Sequence, residues 1–292
     1  MNQRFIYWGI FLLLSLTWGS SFILMKIGME GLSSYQVASL RLVAAAACLL
    51  PFFFKYIRQT PLNKIPLIIL SGILGNGIPA YLFCVAETKI DSSLAGILNA
   101  LTPLMVLLSG AALFGTAVKK QQLVGVGLGL LGVVCLFASK GISADNHWQY
   151  GLLVVLATIC YGVNISMVHL YLKGFSSLHL GSIALFFCGL FALPVLFYSG
   201  FFHLFSGPQA PWMSLGASMV LGIMGTAVAA VLFYMLIKRA GSIFASMVAY
   251  ALPVVAIGWG LLAGEIITWM QVLCMGAILG GVYLANRKPD AK

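Results

Sequence analysis

Charged residues are what this sequence has least of. They make up 8% of the 292 residues, whereas hydrophobic residues make up 61%. A soluble domain has about 25% charged residues, so a chain with so few charges cannot cover itself with a water-facing surface. The composition excludes a soluble globular protein and predicts a chain that crosses a membrane several times. The net charge of +10 falls mainly in short loops, as in membrane proteins, so no nucleic-acid partner is expected.

Several motifs of catalysis and energy coupling are also missing. The sequence has no Gly-x-x-x-x-Gly-Lys loop, so it is not a self-contained ATP-driven pump, and no ATPase subunit is implied. It has no His-Glu-x-x-His helix, no Gly-x-Ser-x-Gly turn and no paired intramembrane carboxylates, which disfavours a membrane enzyme. A charge ring or filter loop of the kind found in channels is not visible either. The six cysteines all lie in apolar runs without a CxxC pair, so no metal and no cofactor is expected.

Long apolar runs are what the sequence does have. A membrane-spanning helix needs roughly 20 apolar residues. Ten runs approach this length: Phe5–Ile27, Tyr35–Phe54, Ile65–Val85, Ser92–Phe114, Gln121–Ala138, Gln149–Tyr171, Leu178–Tyr198, Met213–Ile237, Ser242–Ala263 and Thr268–Ala285. The sequence therefore predicts an all-α integral membrane protein with ten transmembrane helices and the lipid bilayer as its partner. The first run has no small-residue cleavage site and reads as a retained helix.

The basic residues predict the orientation of these helices. If the N-terminus is cytoplasmic, twelve Lys and Arg side chains fall in inside segments and three fall outside, with Arg41 left within a helix. This asymmetry follows the positive-inside rule and places both termini in the cytoplasm.

An internal repeat divides the chain into two halves, 1–140 and 147–288. At a constant offset along the chain, Trp18-Gly19 corresponds to Tyr161-Gly162, and Ser21 corresponds to Asn164. After a longer loop in the second half the offset increases, and Pro103 corresponds to Pro253. Each half has five predicted helices, and because five is odd the second half must be inverted in the membrane. Inverted repeats around a site at mid-membrane depth are typical of secondary transporters.

The residues of the repeat resemble a known domain. The first helix carries Trp18-Gly19-Ser20-Ser21-Phe22, the second Arg41, the third Gly72 and Gly75, and the fourth Pro103, and Gly264-Glu265 precedes the tenth. This order resembles the EamA domain, and two such domains in tandem resemble a ten-helix member of the drug/metabolite transporter superfamily. The first half departs from the pattern with Gly115-Thr116 in place of Gly-Glu, and Ala184 stands where Arg41 would repeat. The resemblance implies export of amino acids or related metabolites across the bacterial inner membrane.

Polar residues near the middle of the helices are the candidate binding residues. A polar group at mid-membrane depth is costly unless it faces other helices or a cavity. The candidates are Trp18, Ser21, Asn76, Asn99, Thr102, Tyr161, Asn164, Thr226 and Tyr250. They lie on the first, third, fourth, sixth, eighth and ninth helices, which we expect to surround a cavity. The fifth and tenth helices carry Gly125/Gly129 and Gly276/Gly280, which is typical of close packing between helices.

Prolines and charges complete the sequence-based interpretation. Pro103 and Pro253 each remove a backbone hydrogen bond, so they are expected to kink their helices and are candidate hinges. Arg41 either snorkels or forms a structural pair, or it is a carboxylate contact at the outer gate, and Lys26 and His169 occupy matching positions of the repeat. The six cavity helices carry no charge at mid-depth, so neutral or zwitterionic solutes are expected. A drug, sugar or nucleoside permease of the same fold is the alternative, and the oligomeric state does not follow from the sequence.

Overall fold

The computed structural model describes residues 3–116, 120–139, 147–206 and 209–286, and within these ranges the chain is helical and has no strand. We number the helical segments along the chain. They are α1 (Gln3–Gly19 and Ser21–Met29), α2 (Ser34–Ile57), α3 (Leu62–Ala86), α4 (Ser92–Asn99 and Thr102–Phe114), α5 (Lys120–Ser139), α6 (Trp148–Tyr171), α7 (Ser177–Tyr198), α8 (Trp212–Ala240), α9 (Ser242–Ser246 and Val248–Leu262) and α10 (Trp269–Asn286). A short 3₁₀ helix, Phe201–Phe205, lies between α7 and α8.

Eight of these segments are long and apolar enough to cross a membrane, namely α1–α4 and α6–α9. In α10 the apolar part is shorter and covers Trp269–Gly281. Large apolar side chains such as Leu16, Phe197 and Leu273 are more than half exposed, as lipid-facing side chains are. The prediction of an all-helical, multi-pass membrane protein is therefore confirmed, whereas ten spans and the inversion of the second half stay predictions. Some residues used in these predictions lie outside the described residues. They are positions 1, 140 and 288, which limit the two predicted halves, and the basic residues Lys119, Lys140, Arg287, Lys288 and Lys292, which predict the orientation.

Matching serines begin α2 and α7. The Ser33 hydroxyl accepts a hydrogen bond from the amide of Gln36, and the Gln36 side chain accepts one from the amide of Ser33, which forms a capping box. The Ser176 hydroxyl accepts a hydrogen bond from the amide of His179 at the start of α7. Each cap satisfies an amide that the helix itself leaves without a partner. Ser33 and Ser176 are equivalent positions of the repeat, so the two halves begin this helix in the same way.

Both α3 and α8 contain a π-helical stretch in the middle. These stretches are Ile73–Gly77 and Ile223–Val228, and they begin at equivalent positions of the repeat. A π-bulge shifts the register of the backbone hydrogen bonds, so that backbone and side-chain groups near it are offered to partners other than the helix itself. The glycine-rich sequences around Gly72-Gly75 and Gly222-Gly225 therefore form the same irregular structure in both halves.

The packing of the helices repeats after a shift of five. Helix α1 packs against α8 and α9, and α6 packs in the same way against α3 and α4. Helices α2 and α7 pack against each other, and so do α5 and α10. A contact between two helices is therefore repeated between the equivalent helices of the other half.

Glycines lie where these helices come closest. A Cβ atom at Gly72 would lie 2.6 Å from the carbonyl oxygen of Ala184 in α7, and a Cβ atom at Gly222 would lie 2.6 Å from the carbonyl oxygen of Arg41 in α2. The backbone of α7 could not come so close to α3, nor the backbone of α2 to α8, if these glycines carried side chains. Small residues permit such an approach in membranes, where close packing between helices supplies much of the attraction.

The predicted close packing of α5 against α10 uses partly different glycines. A Cβ atom at Gly281 would lie 2.6 Å from the carbonyl oxygen of Gly125 and would overlap the amide nitrogen of Gly129. By contrast, a Cβ atom at Gly276 would have no neighbour within 4 Å, and one at Gly280 would be just in contact at 4.0 Å. Gly125 and Gly129 of α5 therefore lie at the crossing, as expected. The expectation for α10 was wrong, because Gly281 lies at the crossing and Gly276 and Gly280 do not.

The substitution Gly72→Ala tests the crossing of α3 and α7. The added methyl group would meet backbone atoms of Ala184, which cannot rotate away, so we expect a loss of about 1–3 kcal/mol of stability, as for other overpacked sites. The measurement is the thermal unfolding midpoint in detergent.

Gly216→Ala in α8 is the control for this test. No atom lies within 4 Å of the position of its added Cβ, and alanine has the higher helix propensity, so its midpoint should equal or exceed that of the parent. Equal midpoints for the two variants would contradict the close crossing.

Candidate functional site

A cavity lies in the centre of the helices. It is lined by α1, α2, α3, α4, α6, α8 and α9, and it has a volume of about 100 Å³. Seven of the nine predicted binding residues line it: Trp18, Ser21, Asn76, Asn99, Thr102, Tyr161 and Asn164. The apolar part of the wall is formed by residues such as Phe22, Met25, Phe83, Phe233 and Leu252. The six helices expected to surround a cavity therefore do so, and α2 joins them.

Trp18 is held at the cavity wall by a contact between the two halves of the chain. Its indole nitrogen donates a 2.9 Å hydrogen bond to the carbonyl oxygen of Gly225, in the π-helical stretch of α8. Its ring meets the ring of Phe233 edge-on, with centroids 4.9 Å apart. The irregular backbone of α8 thus gives a mid-helix tryptophan a polar partner within a largely apolar wall.

Asn164 has an equivalent place on the other side of the cavity. Its side-chain oxygen accepts a 2.7 Å hydrogen bond from the hydroxyl of Ser71, which also lies 3.2 Å from the hydroxyl of Tyr234. A Cβ atom at Gly75 would overlap the Asn164 amide nitrogen, and a Cβ atom at the equivalent Gly225 would lie 2.9 Å from the hydroxyl of Ser21, the equivalent of Asn164. The two π-helical stretches therefore face matching polar side chains.

The break in α4 places two further polar residues at the cavity. The helix is interrupted at Ala100 and Leu101, and the hydroxyl of Thr102 donates to the backbone and side-chain oxygens of Asn99 at 2.8 and 3.3 Å. The side chain of Asn99 is 5% exposed and lines the cavity. The site thus offers an amide group on a short, non-helical turn of backbone.

The structure places the other predicted site residues away from the cavity surface. Thr226 is buried but does not line the cavity, and its hydroxyl accepts hydrogen bonds from Arg41. Tyr250 is half-buried and is not among the lining residues. Pro103 lies at the start of the second part of α4, directly after the interruption, and Pro253 lies inside the longer part of α9. Both prolines are buried, and their role as hinges stays a prediction.

Arg41 is the charged lining residue that the sequence-based prediction of the cavity missed. It stands in α2, which was not expected at the cavity, yet its guanidinium group reaches the wall formed by α1 and α8. The cavity therefore contains a positive charge. The expectation of a cavity without charge was wrong, because it considered only the six helices α1, α3, α4, α6, α8 and α9. The resemblance had singled out Arg41, but the spacing of residues in α2 could not show which neighbour it faces.

A second group of charged residues lies at the ends of helices, and we call it the ionic cluster (Lys26, Glu87, Ser92, Ser93 and Glu265). Lys26 in α1 forms an ion pair with Glu265, which follows α9. The carboxylate of Glu265 also accepts hydrogen bonds of 3.1 Å from the amides of Ser92 and Ser93 at the start of α4. One carboxylate thus joins α1 and α4 to the segment between α9 and α10.

The pKa values of the two carboxyl groups in the ionic cluster are shifted in opposite directions. Burial raises the pKa of Glu87 well above its ordinary value, and the charge of Lys26 and a hydrogen bond from Ser92 do not cancel this effect. Burial also favours the neutral form of Glu265, but the hydrogen bonds from Lys26 and from the amide of Ser93 outweigh it and lower its pKa. Burial therefore disfavours the charged form of Glu87, whereas the environment of Glu265 favours the charged form that pairs with Lys26.

The described residues show polar groups around the cavity and no candidate metal site. They contain no group of three His, Cys, Asp or Glu side chains that could hold a metal ion. His169, whose role the sequence left open, is not at the cavity, and its Nδ1 atom is buried without a hydrogen-bond partner. Amide, hydroxyl, indole and guanidinium groups in an apolar wall can bind and orient a small solute.

These features define a multi-pass helical membrane protein with a central solute cavity. The profile of the EamA-like transporter family matches residues 6–138 and 149–287. The chain belongs to the EamA-like transporter family. This confirms the resemblance inferred from the sequence, and family membership indicates a transporter and not an enzyme.

Individual relatives are distant but cover the chain. The chain is 27% identical to the "uncharacterized inner membrane transporter YedA" of Escherichia coli, over 98% of this chain and 92% of that protein. It is 24% identical to the "probable terminal-alkyne amino-acid exporter" of Streptantibioticus cattleyicolor, over 93% and 90% of the two chains. A "probable amino-acid metabolite efflux pump" of Salmonella typhimurium is 26% identical over 50% of this chain and 47% of that protein. A crystal structure with 18% identity superposes with a TM-score of 0.61 over 95% of both chains, which shows the shared fold.

The variant Glu265→Gln tests the ion pair that holds the ionic cluster together. It leaves Lys26 without its counter-charge and weakens the acceptor for two amides, and hydrogen bonds to charged groups contribute about 1.5–3 kcal/mol each. We expect a thermal unfolding midpoint in detergent several degrees below that of the parent. Glu30→Gln is the control, because Glu30 is exposed and has no ion pair among the described residues. Equal midpoints for the two variants would contradict a structural role of the pair.

The raised pKa of Glu87 predicts a dependence of stability on pH. The folded chain holds this proton more tightly than the unfolded chain, so its contribution is complete below the ordinary carboxyl pKa of about 4.3 and is lost as pH rises toward the raised pKa. As the pH rises above the ordinary carboxyl pKa of about 4.3, the unfolding midpoint of the parent should therefore fall more steeply than that of Glu87→Gln. Parallel curves for the two proteins would show that Glu87 is already ionised in the folded state.

Proposed function

We propose that the chain is a secondary transporter that moves small neutral or zwitterionic metabolites, and that its cargo is amino acids or related compounds exported across the bacterial inner membrane. The observation that carries this proposal is the central cavity, which is lined by equivalent helices of both family-matched segments. Its polar groups come from the middle of those helices, where only a solute site or an interhelical contact offsets their cost.

The proposed mechanism is alternating access between two inverted halves of five helices each. Two reciprocal contacts support this arrangement: Gly19 meets Val255, and the repeat equivalents of these two residues, Gly162 and Met105, meet each other. The reciprocal contacts of Gly72 with α7 and Gly222 with α2 have the same relation. Two similar halves around a central site can rock against each other and expose the site to one side at a time.

The ionic cluster is the proposed closure on the outer side. With the N-terminus in the cytoplasm, the ends of α1 and α9 and the start of α4 lie on the outer side of the membrane. Here Lys26 in the first half pairs with Glu265 in the second. Opening of the cavity to this side would separate the pair, so the described conformation is closed at this end.

Support for an amino acid cargo comes from the wall and from the relatives. Aromatic and aliphatic side chains give surface to an apolar side chain, and the polar groups suit a compact zwitterion. Two relatives carry names that refer to amino-acid export, although their identities of 26% and 24% leave the cargo of this chain a proposal.

Export from cells loaded with dipeptides is the test. Intracellular hydrolysis raises the pools of free amino acids, and the medium is followed for amino acids that appear faster with the parent than with empty vector. Trp18→Ala and Asn99→Ala, at matched expression, should each reduce this rate at least tenfold, because both residues line the cavity.

Trp212→Ala and Asn63→Ala are the matched controls, because both side chains are exposed and far from the cavity wall. They should export at the parental rate. Export that survives the two cavity substitutions would leave a transporter with a different binding site. If no amino acid moves, the cargo proposal fails, and drugs, sugars and nucleosides become the next panel.

A further inference from the structure

We propose that Arg41 binds the carboxylate of the transported solute, so that the cavity selects compounds that carry a carboxylate. This inference rests on the proposed transport function and names the chemical class of its cargo. The geometry that points to it is a guanidinium group that faces the cavity without an acidic partner among the described residues.

The hydrogen bonds of Arg41 leave part of its guanidinium group available. Nε and Nη2 donate to the hydroxyl oxygen of Thr226 at 3.2 and 3.1 Å, and Nη1 lies 3.7 Å from the sulfur of Met25. A guanidinium group has five N–H donors in a planar fork. Two neutral partners, one of them a weakly accepting sulfur, therefore do not satisfy it.

No carboxylate in the described part of the chain neutralises this charge. The only ion pair within 4.0 Å among these residues joins Lys26 and Glu265, so Arg41 has no ion-pair partner there. The carboxyl group of Glu87 feels the charge of Arg41, but it forms no ion pair with Arg41 within 4.0 Å, and burial raises its pKa. A cation inside a membrane is normally paired or faces a water-filled cavity. Arg41 faces the cavity.

The surrounding residues position Arg41 for this role. Gly222 lets α8 approach the backbone of α2 at Arg41 itself, where a Cβ atom would lie 2.6 Å from the Arg41 carbonyl oxygen. The Thr226 hydroxyl donates to the carbonyl oxygen of Leu221 at 3.2 Å, so its lone pairs are directed to the guanidinium group. Thr226 thus acts as a positioning residue and not as a wall residue.

The repeat supplies only one such site. The position equivalent to Arg41 is Ala184 in α7, whose backbone meets Gly72 in the equivalent crossing. A single cation in a cavity that is otherwise nearly symmetric gives a bound carboxylate one place and therefore gives the solute one orientation. Planar guanidinium groups bind carboxylates through two parallel hydrogen bonds, which lysine cannot reproduce.

The test compares three solutes that differ only in their charged groups. L-phenylalanine, L-phenylalaninamide and 3-phenylpropionate are titrated against the purified chain in detergent, and binding is followed as thermal stabilisation. The parent should bind the two carboxylate-bearing compounds at least tenfold more tightly than the amide. Arg41→Gln should lose this preference while its weak affinity for the amide stays the same, and Arg41→Lys should keep part of it.

Arg58→Gln is the control for removal of a positive charge next to α2. Arg58 follows the last residue of that helix and is exposed, so its variant should bind all three compounds as the parent does. The unchanged affinity of Arg41→Gln for the amide shows that its cavity is intact. Loss of all binding in Arg41→Gln together with full binding in Arg41→Lys would still support a role for the charge. Loss of all binding in both variants would make Arg41 a structural residue and overturn the inference.

Failure of this inference and failure of the proposed function give different results. A carboxylate preference that survives in Arg41→Gln, or a parent that binds none of the carboxylates, overturns the role of Arg41 even if amino acids are exported from loaded cells. Arg41-dependent binding of 3-phenylpropionate without export of any amino acid leaves the carboxylate site in place and rejects the amino acid cargo.

Discussion

Close approach of helix backbones is the constraint on which the rest of this structure depends. At Gly72 and Gly222 the added volume of one methyl group would meet main-chain atoms of α7 and α2, so these crossings cannot widen without moving whole helices. Both glycines border the π-helical stretches of α3 and α8, which face the cavity. The crossings therefore fix the distance between the irregular backbone of one helix and the polar side chains of its neighbours. Directly after Gly222, the same helix offers the Gly225 carbonyl oxygen to Trp18 and the Thr226 hydroxyl to Arg41.

Several polar groups at the centre of this membrane protein are partnered across the two halves. Trp18 donates to α8, and Asn164 accepts from Ser71 in α3. Such contacts hold better in a low-dielectric interior than they would in water, and an unmade one is costly. They also pair elements that would have to slide past each other during alternating access. A solute that offers hydrogen bonds of its own would make the rearrangement less costly, which is how binding and conformational change become linked in a carrier.

The sequence allowed the fold class and much of the cavity to be predicted, because lipid imposes simple rules. Helix length, the cost of polar groups at mid-depth and the repeat together led to Trp18, Asn99 and Asn164 at one cavity. Contacts over long sequence distances could not be predicted in the same way. Lys26 and Glu265 are 239 residues apart, and their pairing depends on where α9 ends relative to α1. The orientation of Arg41 depends on a close crossing between α2 and α8, which helical periodicity within α2 does not describe.

Charge breaks the symmetry that the repeat creates. The positions equivalent to Lys26, Arg41 and Glu87 are His169, Ala184 and Ile237, so these three charges of the first half have no strongly charged counterparts. A duplicated bundle without this difference would offer a solute two equivalent orientations and two equivalent ends. With it, the ionic cluster joins the helices at one end through an ion pair, whereas the equivalent residues at the other end cannot form such a pair. If the two halves rock as proposed, the two end states would differ in electrostatic energy, and this difference would bias which end state is favoured when the cavity is empty.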